Sequence, residues 1–449
     1  MTLKSRRDFL RRTATAMGLM GFEHLGRMNA LAQSAPSYKA LVCIFLFGGN
    51  DGFNTIVPMD SAPYTAYKNI RGGLALPTTS ATLLPVTTSA GNQYGLNNGL
   101  QQIHPLWAQK KLAAIANMGL LVQPVTRAQY LANSAALPTN LFSHSDQTTQ
   151  MQSGVPSTGA GTGWAGRLAD AVQTLNGAAT FPSTISIAGP VLFCTGNAIQ
   201  SASLFPGFDL TPSGMNFWPQ TAAAAKKAAF QELLTFNNGL TLVQQANKVM
   251  SDAMSLNSML NSLGASGGIT TVFPGSSLGT QLKEVARIIK LRNSTGMTRQ
   301  VFFCSLGGFD THGSQDWTHW DLLRNVGDAM KAFYDATVEI GVADQVTTFT
   351  ASEFGRTLQP SGVGTDHGWG SHHLIMGGAV KGGEVYGTFP TYALTGPDDS
   401  GSRGALIPTT STDQFGATLA KWFGVPSASM SSVFPNIGNF GVQDLGFLA

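Results

Sequence analysis

The sequence predicts an α/β fold with a mostly parallel central sheet and helices on both faces. Three observations carry this. Apolar runs without polar alternation recur along the chain, stretches of helical character stand between them, and several runs stop at glycine-rich loops holding Asp or His. Unalternated apolar runs read as strands covered on both faces, and strands alternating with helices imply parallel pairing.

The first run, Tyr38 to Phe47, ends at Gly48-Gly49-Asn50-Asp51-Gly52. Further runs lie at Leu112 to Met118, Thr184 to Ala188, Val301 to Leu306, Val346 to Thr350 and Leu374 to Val380. Helices are expected over Ala222 to Leu263, broken near Gly239, then over Leu278 to Leu291, Trp320 to Ile340 and Ser411 to Phe423. The last opens with a capping box, Ser411-Thr412-Asp413-Gln414. Stretches rich in Gly, Ser and Thr near Thr78 to Asn98, Ser153 to Gly163 and Gly264 to Ser277 read as surface loops or insertions. The chain shows no internal repeat.

At 449 residues the chain is long enough to bury a sizeable core. Charged residues make up only 11%, against roughly 25% in ordinary globular chains, so the surface is neutral and polar. A formal charge of +3 with no basic stripe leaves nucleic acid without a footprint. Cys43 and Cys304 sit within apolar runs and Cys194 is the only other cysteine, so no disulfide framework is expected.

The N-terminus reads as an address. Ser5-Arg6-Arg7-Asp8-Phe9-Leu10 is similar to the twin-arginine export signal, and it precedes an apolar stretch, Thr13 to Phe22, and the small-residue run Ala30-Leu31-Ala32. This predicts a signal peptide over residues 1–32, cleavage near Ala32, and a mature domain over 33–449 that is exported folded to the periplasm or secreted. The export machinery is then a partner. No segment reaches the roughly 18 uninterrupted apolar residues that span a bilayer, so no integral span is expected after cleavage.

In an open parallel sheet, ligands gather beyond the carboxyl ends of the strands. Here those ends carry acids and histidines: Asp51 after the first strand, Gly307-Gly308-Phe309-Asp310-Thr311-His312 after another, and Glu353-Phe354-Gly355-Arg356-Thr357 after a third. Asp366-His367-Gly368 and Ser371-His372-His373 follow. Carboxylates mixed with imidazoles suit Zn, Mn or Fe, and a carboxylate-dominated half would hold Mg or Ca, so one or two divalent metal ions are expected. Taken singly, each residue has a structural alternative. Asp51 suits a turn, Asp310 a helix cap, His312 a core position, and Glu353 with Arg356 an internal ion pair. His372 and His373 face opposite ways in an extended segment, so one of the two is the expected ligand.

These segments resemble the DUF1501 family, whose marks are an early glycine-rich Asn-Asp-Gly, Gly-Gly-Phe/Trp-Asp-Thr-His, and Glu-Phe-Gly-Arg-Thr followed by Asp-His-Gly. They stand here at Gly48 to Gly52, Gly307 to His312, Glu353 to Thr357 and Asp366 to Gly368. The family is placed in the alkaline phosphatase superfamily with sulfatases, which implies an alkaline phosphatase-like fold. The resemblance further implies one metal site from Asp51, Asp366 and His367, and a second from Asp310, His312 and either His372 or His373. In superfamily phosphatases three residues separate the middle Asp and His, whereas one separates Asp310 from His312. The implied nucleophile is Ser143, in Phe142-Ser143-His144-Ser145-Asp146, which resembles the family's Ser-His-x-Asp segment. His144 belongs to the same catalytic segment, although Phe142 replaces the Arg often found there. As an alternative, Ser143 and Asp146 would simply cap a helix. The function implied is a metal-dependent hydrolase of small anionic phosphate or sulfate esters, with Ser143 attacking and Arg356 or backbone amides steadying the developing charge. The alternative is a non-catalytic periplasmic binding or assembly protein on the same fold.

Overall fold

The run expected at 38–47 is strand β1, Lys39–Leu46, buried along all but its first residue. The computed structural model describes residues 37–199, 201–207, 214–236, 239–262 and 268–449. Lys39–Ala449 forms one compact unit. The export signal and its cleavage site lie outside the described residues.

In chain order the remaining strands are β2 (Ile56–Pro58), β3 (Leu83–Thr87), β4 (Gln93–Asn97), β5 (Leu112–Gly119), β6 (Thr184–Ser186) and β7 (Ala202–Ser203). Then follow β8 (Arg299–Leu306), β9 (Val346–Ala351), β10 (Ser371–Gly377), β11 (Val385–Tyr386) and β12 (Thr410–Ser411). Among the described residues nine of them form one sheet in the order β11-β5-β10-β9-β1-β8-β6-β7, with β12 beside β5. β1 pairs parallel with β8 and with β9, and β6 parallel with β8, so the mixed α/β fold with a mostly parallel sheet is as the sequence predicts.

Two features depart from expectation. β10 starts three residues earlier than the apolar run and pairs antiparallel with both β5 and β9. The stretch 78–98, expected to be a loop, contains β3 and β4, which form a separate antiparallel sheet with β2. Its Gly and Thr content masks an every-other-residue apolar pattern: Leu83, Tyr94 and Leu96 are buried.

The longer helices are α1 (Ser61–Arg71), α2 (His144–Ser153), α3 (Trp164–Ala171), α4 (Gln220–Thr235), α5 (Thr241–Ser262), α6 (Ser277–Lys290), α7 (Gln315–Glu339) and α8 (Thr412–Phe423). α8 carries the expected capping box between Ser411 and Gln414. Successive strand residues face opposite sides. Leu41, Cys43 and Phe45 therefore share one face, in a cluster with Val301 and Phe303 of β8, Trp164 and Leu168 of α3, and Phe415 and Leu419 of α8. Each such side chain stabilises the fold by roughly 1.5–3 kcal/mol when fully buried. On the other face α6 packs on β8, and α7 packs on α6. All three cysteines are buried and free. Among the described residues no helix is long and apolar enough to cross a membrane.

Candidate metal centre

β9, β1 and β8 are neighbours and parallel, so their carboxyl ends open on one edge of the sheet. β10 runs against β9, so its beginning reaches that same edge and brings Asp366 and His367 with it. The turn after β1 presses directly on the turn after β8. Gly48 has φ +119°, and a Cβ there would lie 2.2 Å from the backbone nitrogen of Asp310. Only glycine tolerates both the conformation and the approach.

Three imidazoles converge on one carboxylate oxygen, Oδ1 of Asp310. His312 Nε2 lies 3.0 Å from it, His367 Nε2 3.3 Å and His144 Nε2 3.4 Å. Each ring is held from behind by an oxygen. Nδ1 of His144 donates to Glu353 Oε1 at 2.9 Å, Nδ1 of His367 donates to the Phe142 carbonyl at 2.8 Å, and Nδ1 of His312 faces Asp366 Oδ1 at 3.4 Å. A carbonyl and a carboxylate only accept, so the Nδ1 atoms of His144 and His367 carry the protons and their Nε2 atoms present lone pairs to the centre. This back-anchoring is how metal-ligating histidines are fixed.

The donors fit a cation. Nε2 of His312 and Nε2 of His367 are 3.1 Å apart, a distance at which two bare lone pairs repel unless a proton or an ion lies between them. Nε2 of His144 is buried without a hydrogen-bond partner. His144, Asp310 and His367 offer ligand atoms that all lie within 4.8 Å of one another. An imidazole-dominated set suits zinc or a related transition ion rather than Mg or Ca, which prefer oxygen.

The acids of the site are held by arginines. Arg356 Nη1 donates to Asp310 Oδ1 at 2.7 Å, and Arg403 pairs with Asp366. Burial alone would raise the Asp310 pKa, but the Arg356 bond and charge, with His312 and His144, hold it below its ordinary value. For Asp366 burial is likewise outweighed by Arg403 and His312, and the pKa is lowered. Burial lowers the His367 pKa, opposed by the bond to the Phe142 carbonyl, so the neutral ring is favoured.

Other expected residues lie elsewhere. Asp51 is fully buried, and its carboxylate accepts from Arg71, from Gln315 Nε2 and, at 3.1 Å, from the Phe53 amide. It is not among the grouped donors His144, Asp310 and His367, and protein donors engage both its oxygens. His372 has both nitrogens engaged, Nδ1 accepting from the Asn117 amide at 2.9 Å and Nε2 at 2.9 Å from the Tyr392 hydroxyl. His373 is buried within β10. Burial lowers the pKa of each to about 3, so both rings are neutral, and neither is in the group of His144, Asp310 and His367. Arg356 is wholly buried and donates to Thr365, the Gly48 carbonyl and Asp310, so it acts on the site through Asp310 rather than facing the cleft. It does not pair with Glu353, which instead serves His144.

Ser143 occupies the N-cap of α2, yet its hydroxyl caps no backbone amide and donates to Asp146 Oδ2 at 2.7 Å. Phe142 and His144, its two neighbours, both touch the centre. An open cleft of about 440 Å³ in front is lined by Phe47, Gly48, His144, Ser145, Thr148, Asp310 and Glu353. The Glu353 anchor of His144 and the Arg403 partner of Asp366 escaped sequence reasoning. The first carried a signal, a lone acid at the end of β9; the second, in an irregular stretch, carried none.

A family model described as "Protein of unknown function (DUF1501)" matches residues 38–411. No curated protein matches the chain. Among solved structures, the PsFucS1 sulfatase from Pseudoalteromonas sp. is similar with 11% identity and a TM-score of 0.37, over 94% of this chain and 74% of that one. The phosphonate monoester hydrolase of Agrobacterium radiobacter has 11% identity and a TM-score of 0.33, over 87% and 74%. A protein in the alkaline phosphatase superfamily from Vibrio parahaemolyticus has 10% identity and a TM-score of 0.29, over 87% and 67%. Likenesses this distant say nothing of what this chain does.

Proposed function

The chain belongs to the DUF1501 family, and on that premise we propose that it is an exported, metal-dependent hydrolase of small phosphate or sulfate esters. One observation carries the metal half of this reading: three back-anchored imidazoles meet Asp310 Oδ1 at the mouth of an open cleft. A divalent ion there would supply Lewis-acid activation of an ester oxygen. The chain's own part is to fix the donors. Glu353 and the Phe142 carbonyl set the tautomers of His144 and His367, and Arg356 holds Asp310 ionised.

Ser143 is the hydroxyl assigned to attack, with the Asp146 carboxylate at 2.7 Å placed to take its proton. The ester class comes from the family resemblance, and Arg403, partly exposed beside Asp366, supports an anionic substrate. Export rests on the twin-arginine-like motif at Ser5 to Leu10.

A second reading is a metal-binding assembly protein without turnover. It is favoured by the committed donors of Arg356, whose guanidinium does not face the cleft. The test pairs metal analysis of natively exported protein with hydrolysis of p-nitrophenyl phosphate and sulfate. Bound metal with turnover that Ser143→Ala abolishes supports the hydrolase. Bound metal without turnover on either ester favours the assembly reading, and absence of metal sinks both.

A further inference from the structure

We infer that the centre takes a single ion, because the second cation position implied by the family resemblance is already filled by Arg71. The inference rests on the metal reading above and narrows it. Asp51 is the residue expected to open the other site, and its side chain has no exposed surface. Its Oδ2 receives the Arg71 guanidinium and the Gln315 amide, and its Oδ1 the Phe53 backbone amide. Arg71 is equally buried, placed by the last turn of α1, and Nη1 donates to the carbonyls of Thr357 at 3.1 Å and Leu358 at 3.3 Å. A guanidinium fixed on both sides is a resident cation, and a divalent ion at the same carboxylate would meet its charge at close range in a dry interior.

The remaining members of a second set are committed or shut away. His372 is bonded at both nitrogens, and His373, though its Nδ1 has no hydrogen-bond partner, is sealed into β10. Asp366 pairs with Arg403 and turns its Oδ1 to His312 Nδ1 at 3.4 Å, so it backs a ligand of the same centre. What is left is His144, His312, His367 and Asp310, a donor set for one ion.

The Arg71–Asp51 pair still serves that ion. Gln315, which donates to Asp51, accepts from Thr365 Oγ1 at 2.5 Å; Thr365 Oγ1 accepts from Arg356 Nε at 3.2 Å; Arg356 holds Asp310 at 2.7 Å. Asp51 is a positioning residue at the buried end of this chain of hydrogen bonds.

The experiment is metal counting by plasma mass spectrometry on the full, natively exported chain, with calorimetric titration of zinc into chelator-stripped protein. One equivalent is expected by both, retained in Asp51→Asn at weakened affinity and lost in His144→Ala. Two equivalents in the wild type, one of them lost in Asp51→Asn, overturns the inference while leaving the metal reading intact. No bound metal overturns both together. Should Asp51→Asn fail to fold, Arg71→Lys keeps the cation and must also bind one equivalent. The wild-type titration decides the stoichiometry without any variant.

Discussion

Glu353 and His144 are bonded Oε1 to Nδ1 at 2.9 Å, and the same Oε1 accepts from the Gly48 amide at 2.8 Å. Residues from three distant parts of the chain thus meet at one carboxylate oxygen. The pair sets which nitrogen of His144 faces the cleft, and it fastens the turn after β1 to the turn after β9.

Replacing that carboxylate weakens the centre without dismantling the fold. Glu353→Gln keeps an oxygen able to accept from His144 but removes the negative charge behind the ring. Metal affinity falls by about 10-fold, and Glu353→Ala approaches about 100-fold, the range for partners that orient a ligating histidine. Competition with a chromogenic chelator measures it. Unchanged affinity in both variants would show that His144 is not a ligand.

Gly48→Ala attacks the same region through the backbone. The added Cβ falls 2.2 Å from the Asp310 nitrogen at a φ of +119°, so the two turns must separate. A loss of at least about 2 kcal/mol in stability is expected, together with loss of metal binding, because Asp310 is displaced. Denaturant unfolding and metal content read the two effects separately.

The fold was legible wherever burial on both faces left an unalternated apolar run, as in β1, β8 and β9. The site was legible where acids and histidines end those strands, because parallel neighbours bring such ends together. What escaped depends on tertiary approach. Nothing in the sequence tells that α1 delivers Arg71 to Asp51, or that α2 delivers His144 between Glu353 and Asp310. β10 begins three residues before its apolar run because its first residues are Ser371, His372 and His373, polar side chains that are nonetheless buried.

Ser143→Ala separates capping from chemistry. A serine at an N-cap normally contributes about 1 kcal/mol by accepting a backbone hydrogen bond, but this hydroxyl makes no such bond. The hydrogen bond to Asp146 at 2.7 Å is lost instead, so stability falls by about 1 kcal/mol, while ester hydrolysis falls by at least about 100-fold if Oγ attacks. Steady-state kinetics beside thermal melts check both, and turnover at wild-type rate would remove Ser143 from the mechanism.

Asp413 gives the fold a pH dependence away from the metal centre. It sits in the first turn of α8, fully buried. Oδ1 accepts from the Asn436 amide at 3.0 Å, and Oδ2 is buried without a partner. Burial raises its pKa to about 7, against the lowering effect of the Asn436 and Ser411 bonds and of the Arg167 charge. The unfolded chain releases this proton near the ordinary carboxylate value of about 4. Between about pH 4 and pH 7 the folded protein therefore holds a proton that the unfolded chain has lost, and stability falls as pH rises. The slope is at most about 1.4 kcal/mol per pH unit, and above pH 7 the loss is complete and constant. The α8 N-terminus favours the charged form and tempers the slope. Asp413→Asn removes the titration, so its melting temperature should vary less from pH 4 to 7 than that of the wild type. Parallel curves for the two proteins across that window would show that Asp413 stays ionised in its buried place.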